Sequence, residues 1–248
     1  MPGVHWLTFY LLLLAAWAAI YLMQAPLPFD QPTTIFGPAW WAGLCSAGAT
    51  TADLPTAAVM WGLMALGMMT PTFLPALATY DDLLQAGAAR RSGFWALLVG
   101  YLSVWLAFAL LAAQLQVTLA AAGLLTAQGE SVSRWLTAGL LALAGGYQFS
   151  AVKAACLSRC RRPLAFFMQY WREGPWGAAV MGLRLGGLCL GCCWALMLLA
   201  FIGGAMNLFW MGLGMVLMTF EKLPDVGRLV TRPLGGLLVL AAAWVLAM

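Results

Sequence analysis

Long apolar stretches separated by short polar or basic segments occupy almost the whole chain. Each stretch is about 20 residues long, which matches the hydrocarbon core of a bilayer. The apolar residues are continuous and do not alternate with period two, so the pattern predicts helices and not the strands of a barrel. Seven transmembrane helices are predicted, over residues 6–23, 57–80, 94–122, 135–152, 177–202, 205–220 and 231–248. The predicted fold class is therefore an all-α, polytopic transmembrane helix bundle, with one integral membrane domain over residues 1–248.

Lysine and arginine are concentrated in the segments that follow the second, fourth and sixth predicted helices. Ten basic residues lie on that side, against Arg134 alone on the other. Because short cytoplasmic loops carry an excess of positive charge, this bias predicts a cytoplasmic N-terminus. The first helix has neither a basic start nor a small-residue cleavage site, so we expect it to be retained and not removed as a signal peptide.

The composition excludes an ordinary soluble domain. Apolar residues make up 64% of the 248 residues and charged residues only 8%, whereas soluble domains are about one quarter charged. The net charge of +4 is explained by the topology signals, and it predicts no nucleic-acid partner. The lipid bilayer is the partner that the sequence predicts.

The fifth predicted helix contains three thiols in a stretch of five residues, in the segment GLCLGCCW. Cys189 and Cys193 are four residues apart and share a helix face, while Cys192 lies one residue to the side. Cysteine packs well as a small buried residue, so a packing role stays open. Three thiols so close together also predict a metal site.

Methionines form stripes on two further helices. Met64 and Met68 are four residues apart on the second helix, as are Met211 and Met215 on the sixth. If the fifth and sixth helices form a hairpin about the GGAMN turn, Cys189 and its neighbours should lie at the depth of Met211 and Met215. Methionine also fills gaps in cores, so packing is the alternative.

A second pair of thiols follows the fourth predicted helix, in the segment KAACLSRCRRP. Cys156 and Cys160 are four residues apart and lie among Lys153, Arg159 and Arg161. Nearby positive charge promotes the thiolate, which favours metal capture or redox chemistry at the inner surface. The alternative is a topology signal that contains two incidental cysteines. Cys45 has no assigned role.

Isolated charges near the predicted helices have simpler interpretations. Arg184 lies inside the fifth helix, and Glu221 at the end of the sixth is its expected partner. Asp81 and Asp82 follow the second helix and are expected to be solvated. Pro71 in the second helix should cause a kink.

Thiolates and thioethers are soft ligands, so the predicted cofactor is a metal ion, Cu(I) before Zn(II). The single histidine, His5, argues against an imidazole-rich zinc or iron site. The predicted metal ligands are Cys189, Cys192, Cys193, Cys156, Cys160, Met64, Met68, Met211 and Met215.

Several segments together resemble a known bacterial family. They include Lys-x-x-Cys-x-x-x-Cys-Arg-x-Pro from Lys153, Gly-x-x-Cys-x-Gly-Cys-Cys-Trp from Gly186, and Met-Asn-Leu-x-Trp-Met from Met206. Over about residues 57–228 the chain resembles the domain of unknown function 2182, described as predicted metal-binding integral membrane proteins. The resemblance implies metal binding in a multi-pass protein of the bacterial inner membrane, and it implies no particular reaction.

Three functions remain open. In the first, the protein handles copper by transport, delivery or storage, with a metallochaperone or a membrane complex as partner. In the second, it is a membrane thiol-disulfide oxidoreductase, although the Cys189-Leu-Gly-Cys192 spacing lies inside a helix. In the third, it is an accessory subunit of a membrane complex. The sequence contains no phosphate-binding glycine loop, zinc-protease motif or catalytic triad, which favours a protein that is not an enzyme.

Overall fold

The structure is a computed structural model that describes residues 3–24, 54–126, 129–204, 207–224 and 226–248. Within these residues the chain forms helices joined by turns and short loops, with one isolated β-bridge between Leu125 and Ser131. The predicted all-α class is therefore confirmed. In chain order the helices are α1 (Val4–Gln24), α2 (Leu54–Gln85), α3 (Arg91–Ala121), α4 (Arg134–Tyr147), α5 (Ala151–Cys160), α6 (Pro163–Tyr170), α7 (Gly174–Met197), α8 (Ala200–Gly203), α9 (Leu208–Lys222) and α10 (Gly227–Ala247).

Five helical segments of the described chain are long and apolar enough to cross a membrane. They are α1, α2, α3, α10 and the segment Gly174–Gly203, which joins α7 and α8. The bent pair α4 and α5 gives a sixth if it counts as one span. The predicted count of seven is not confirmed. The sixth predicted helix corresponds to α9, whose 15 residues are fewer than the roughly 17 that a span needs.

The fourth predicted helix is broken. We expected one helix over residues 135–152, but α4 ends at Tyr147 and α5 begins at Ala151, with a bend of 62° between them. Ser150 makes the break favourable because its side chain accepts a hydrogen bond from the Lys153 backbone N–H at 3.1 Å, which caps α5. The bend lets α5 pack against α7.

Helices α3 and α7 cross at very short range. A methyl group on Gly182 would overlap the carbonyl oxygen of Leu97, and one on Gly100 would overlap the carbonyl oxygen of Ala179. Small residues at such a crossing allow two backbones to approach closely. The crossing brings Tyr101 of α3 next to Cys189 of α7, with 3.0 Å between the hydroxyl and the sulfur.

Helix α2 runs through both of its prolines as one helix of 32 residues. Because Pro71 has no N–H, the carbonyl oxygen of Gly67 loses its usual helical donor. The indole N–H of Trp17 on α1 donates to that oxygen at 3.1 Å. The proline therefore creates an attachment point for α1.

A buried carboxylate holds the other end of α1. Asp81 was expected to be solvated, but it is only 6% exposed. Its oxygens lie 2.8 Å from His5 Nε2 and 3.0 Å from the Trp6 indole nitrogen. The expectation was wrong because it considered α2 alone, whereas α1 covers this face of α2. Asp82 is exposed, as expected.

Candidate metal centre

Three buried thiols on α7 form the densest cluster of metal-ligating groups in the described part of the chain. The sulfur atoms of Cys189, Cys192 and Cys193 all lie within 4.8 Å of one another. Cys192 Sγ is 3.2 Å from Cys193 Sγ, and it donates to the Cys189 carbonyl oxygen at 3.1 Å. All three residues are buried, and none of them forms a disulfide. The cluster offers three soft donors from one turn of helix.

Polar groups from three other positions surround Cys189. The Tyr101 hydroxyl lies 3.0 Å from its sulfur. The Lys222 ammonium group, at the C-terminal end of α9, donates to the same sulfur at 2.9 Å. Lys222 also donates to the Thr72 hydroxyl of α2 at 2.7 Å. Residues of α2, α3 and α9 therefore fix the position of one sulfur on α7.

Lys222 is a buried cation whose described hydrogen-bond partners include no carboxylate. Its partners are the Cys189 sulfur and the two oxygens of Thr72. The neighbouring carboxylate, Glu221, pairs with Lys153 instead, at 2.7 Å between Nζ and Oε2. A buried charge is costly unless an opposite charge lies beside it. The Lys222 ammonium group is therefore placed to compensate negative charge on the Cys189 sulfur.

The Lys153–Glu221 pair corrects two expectations. Arg184 was expected to pair with Glu221, but its guanidinium group lies over the Tyr170 ring, 5.0 Å from the ring centre. Lys153 was counted among the basic loop residues, yet Lys153 and Glu221 are only 1% and 0% exposed. The break at Ser150 turns α5 so that Lys153 points at α9. The pair joins α5, which carries Cys156 and Cys160, to the helix that carries Lys222.

Cys156 and Cys160 lie next to the three-thiol cluster. A methyl group on Gly191 of α7 would lie 2.7 Å from the Cys156 sulfur. Cys156 and Cys160 both pack against the buried core that contains the three thiols. Both residues are partly exposed and free of disulfides. The sequence suggested two separate sites, whereas the bend between α4 and α5 brings the thiols of α5 and α7 together.

The methionine stripes lie to one side of the cluster. Met64, Met68 and Met211 are buried and Met215 is half-buried. A methyl group on Gly214 would lie 3.1 Å from Met68 Cε, so the stripes of α2 and α9 meet. We expected Cys189 to lie at the depth of Met211 and Met215, but it lies level with Lys222. The register differs because α8 and a turn at Gly204, with φ +87°, separate α7 from α9.

Sequence reasoning missed the polar residues around Cys189. Tyr101 and Thr72 lie in apolar helices far from the cysteines in sequence, and nothing in their own segments indicates a site. Lys222 was interpreted as a topology signal. It is the last residue of the helix and follows Glu221 directly, and the family resemblance includes this Glu-Lys pair.

The fold and the site define an all-helical protein with a buried sulfur centre suited to a soft metal ion. A family model described as PpoB2, copper chaperone, matches residues 58–245, and the chain belongs to this family. The match agrees with the metal binding that the sequence resemblance implied, while the family name given by that resemblance stays a prediction. No curated protein and no solved structure matches the chain.

Proposed function

We propose that this protein is a multi-pass protein of the bacterial inner membrane that binds Cu(I) as its cargo through Cys189, Cys192 and Cys193 and acts in copper handling. The observation that carries the proposal is the buried group of three sulfur atoms, all within 4.8 Å of one another. Thiolate sulfur selects Cu(I) over harder ions. The copper chaperone description of the family supports the same metal.

The charges around the cluster favour a bound cation. Three thiolates and one Cu(I) ion carry a net charge of −2, since −3 and +1 are added. Lys222 supplies one positive charge at 2.9 Å from the Cys189 sulfur. A compensated site of low charge is less costly to bury than an isolated thiolate cluster.

The pair on α5 offers an exchange site beside the buried cluster. Cys156 and Cys160 are partly exposed, and both pack against the core that contains the cluster. In the proposed function, a metallochaperone or a membrane complex exchanges Cu(I) with this pair, and Cys192 passes it to or from the cluster. Exchange between adjacent thiolates avoids releasing the ion into an apolar interior.

The methionine stripes offer a second approach to the cluster. Met68 and Met64 precede Thr72 by about 6 and 12 Å of helix, and Met215 and Met211 precede Lys222 by about 10 and 16 Å. Both stripes therefore lead from the α8–α9 turn toward Cys189. Thioether sulfur binds Cu(I) without adding charge, which suits a path through apolar surroundings.

The proposed orientation places the N-terminus in the cytoplasm. Lys153 and Lys222 are buried, so neither serves as a loop charge. Removing them from the count leaves eight basic residues against Arg134 alone, since ten minus two is eight. The bias still favours the same orientation.

The test is Cu(I) stoichiometry of the purified, detergent-solubilised protein under reducing conditions. Wild type is compared with a Cys189/Cys192/Cys193→Ser variant and with a Cys156/Cys160→Ser variant. Cys45→Ser is the control for loss of a thiol elsewhere in the chain. We expect wild type and the control to retain Cu(I) and the triple variant to lose it.

The Cys156/Cys160→Ser variant separates holding from exchange. We expect it to retain Cu(I) at equilibrium and to release it more slowly to an added Cu(I) chelator. Equal, weak copper retention by all four proteins would contradict the proposal. If wild type then showed a cysteine pair that cycles between thiol and disulfide, the result would support a thiol-disulfide oxidoreductase instead.

A further inference from the structure

Three arginines converge on a pocket between α5, α6 and α7, apart from the thiols. Two adjoining cavities of about 360 and 200 Å³ share Arg159, Phe166 and Tyr170 in their walls. Arg184 of α7 lines the larger cavity, and Arg162, at the start of α6, lines the smaller one. The walls thus combine guanidinium groups from α5, from α7 and from the turn between α5 and α6.

Aromatic rings shape this arginine pocket. The Arg184 guanidinium group lies 5.0 Å from the centre of the Tyr170 ring, and Phe166 is buried behind the pocket. A guanidinium group over an aromatic ring is held by cation–π attraction and can still donate hydrogen bonds through its N–H groups. Arg184 is therefore held in the cavity wall with donors to offer an anion.

The positive charges of the pocket have no carboxylate partner among the described residues. No aspartate or glutamate lines either cavity. The two ion pairs of the described chain join His5 to Asp81 and Lys153 to Glu221. Three like charges close together repel one another, and an anion bound between them would offset this repulsion.

A topology signal does not require this arrangement. The positive-inside bias depends on the number of basic residues near the helix ends, not on their convergence on a cavity. Arg184 is also ten residues into α7 from Gly174, which is about 15 Å along the helix. An arginine at that position gains most from an anion that meets it there.

We propose that the arginine pocket binds a phosphate group. Guanidinium forks match phosphate oxygens in bidentate geometry, and phosphate offers acceptors to several arginines at once. The phosphate can belong to an anionic lipid headgroup, which basic pockets between transmembrane helices bind on the cytoplasmic side, or to soluble phosphate. The proposal requires no bound copper, so it can fail or succeed independently of the proposed function.

The experiment measures binding to the full-length, metal-free protein in neutral detergent. The probes are dihexanoyl phosphatidylglycerol, dihexanoyl phosphatidylcholine and inorganic phosphate, and calorimetry gives each Kd. Arg159→Gln and Arg184→Gln test the pocket. Arg134→Gln is the matched control, because Arg134 also lies over an aromatic ring, 5.4 Å from the centre of Trp135.

We expect phosphatidylglycerol to bind wild type at least about tenfold more tightly than phosphatidylcholine does. Each glutamine variant of the pocket should weaken that binding about tenfold or more, as expected for a lost charged hydrogen bond, and Arg134→Gln should not change it. If inorganic phosphate binds the pocket and displaces the lipid, soluble phosphate is a ligand of the pocket. If the lipid binds tightly and phosphate does not displace it, the ligand is the lipid headgroup.

Equal Kd values for the two lipids together with no phosphate binding would overturn the proposal. So would equal effects of Arg184→Gln and Arg134→Gln. If Arg184→Gln does not fold, Arg184→Lys keeps the charge and loses the bidentate fork. Arg184→Lys should bind phosphatidylglycerol more weakly than wild type. If folded Arg184→Lys and Arg159→Gln both bound it as tightly as wild type, phosphate binding by the pocket would be refuted.

Discussion

Replacing Lys222 by leucine should weaken Cu(I) binding without removing a sulfur atom from the cluster or adding one. The Lys222 ammonium group donates to the Cys189 sulfur at 2.9 Å and to the Thr72 hydroxyl at 2.7 Å. Leucine is apolar and of similar bulk, and it carries neither a charge nor a sulfur atom. The substitution therefore tests charge compensation and not packing.

The magnitude follows from the charge on the cluster. With Cys189 alone ionised the cluster carries −1, and with three thiolates and Cu(I) it carries −2. One unit of charge at about 4 Å interacts by about 4 kcal/mol at an effective dielectric constant of about 20. A charged hydrogen bond has a net value of about 1.5–3 kcal/mol, and this lower range includes the desolvation cost. The Kd for Cu(I) should therefore rise about 10- to 150-fold.

Competition with a chromophoric Cu(I) chelator measures this Kd in detergent under reducing conditions. Thr219→Val is the control on the same helix, because Thr219 donates to the Met215 carbonyl oxygen at 2.7 Å and takes no part in the cluster. The control should bind Cu(I) like wild type. A folded Lys222→Leu protein whose Kd lies within twofold of the wild-type value would refute the role given to Lys222.

Three further predictions concern stability, measured by thermal unfolding of the metal-free protein. Glu221→Gln should cost about 3–5 kcal/mol because it leaves Lys153 buried without a counter-charge, and adding Lys153→Met should recover most of that loss. Gly182→Ala should destabilise the α3–α7 crossing by about 1–3 kcal/mol or more because its methyl group meets backbone. Its control, Gly187→Ala, has nothing within 4 Å of the added methyl group and should stabilise α7 by up to about 1 kcal/mol. Asp81→Asn should cost about 1–3 kcal/mol because it weakens the attachment of α1.

Each of these predictions has an outcome that contradicts it. A double variant at Glu221 and Lys153 that is as unstable as Glu221→Gln would mean that the pair is not the source of the loss. Equal effects at Gly182 and Gly187 would argue against close backbone contact at the crossing. For Asp81, the control is Asp82→Asn at the exposed neighbouring position, and equal melting temperatures for the two variants would contradict the buried role.

The sequence was sufficient for the features that depend on local spacing. Cys189, Cys192 and Cys193 had to come together because they occupy one turn of a helix. The apolar stretches had to be helical because backbone groups in apolar surroundings must bond within their own segment. The long helices α2 and α3 follow directly from that requirement.

The remaining features depend on contacts between distant segments. Tyr101 reaches Cys189 only because Gly100 and Gly182 allow two backbones to touch, and neither glycine identifies its partner. Cys156 lies against α7 because Ser150 caps a new helix, which interrupts an apolar run that otherwise favours continuity. Register also depends on such details: the short α8 and its turn move Cys189 level with Lys222.

X-ray absorption at the copper edge of the Cu(I)-loaded protein would show whether Cys189, Cys192 and Cys193 bind the metal, because it reports the number and type of atoms bound to it. We expect a coordination shell made only of sulfur, with three sulfur atoms, which loses sulfur in each single Cys→Ser variant of Cys189, Cys192 and Cys193. We also expect an unchanged shell in Cys45→Ser. A shell with nitrogen or oxygen ligands in wild type, or a sulfur shell unaffected by those three substitutions, would contradict metal binding by these three thiols.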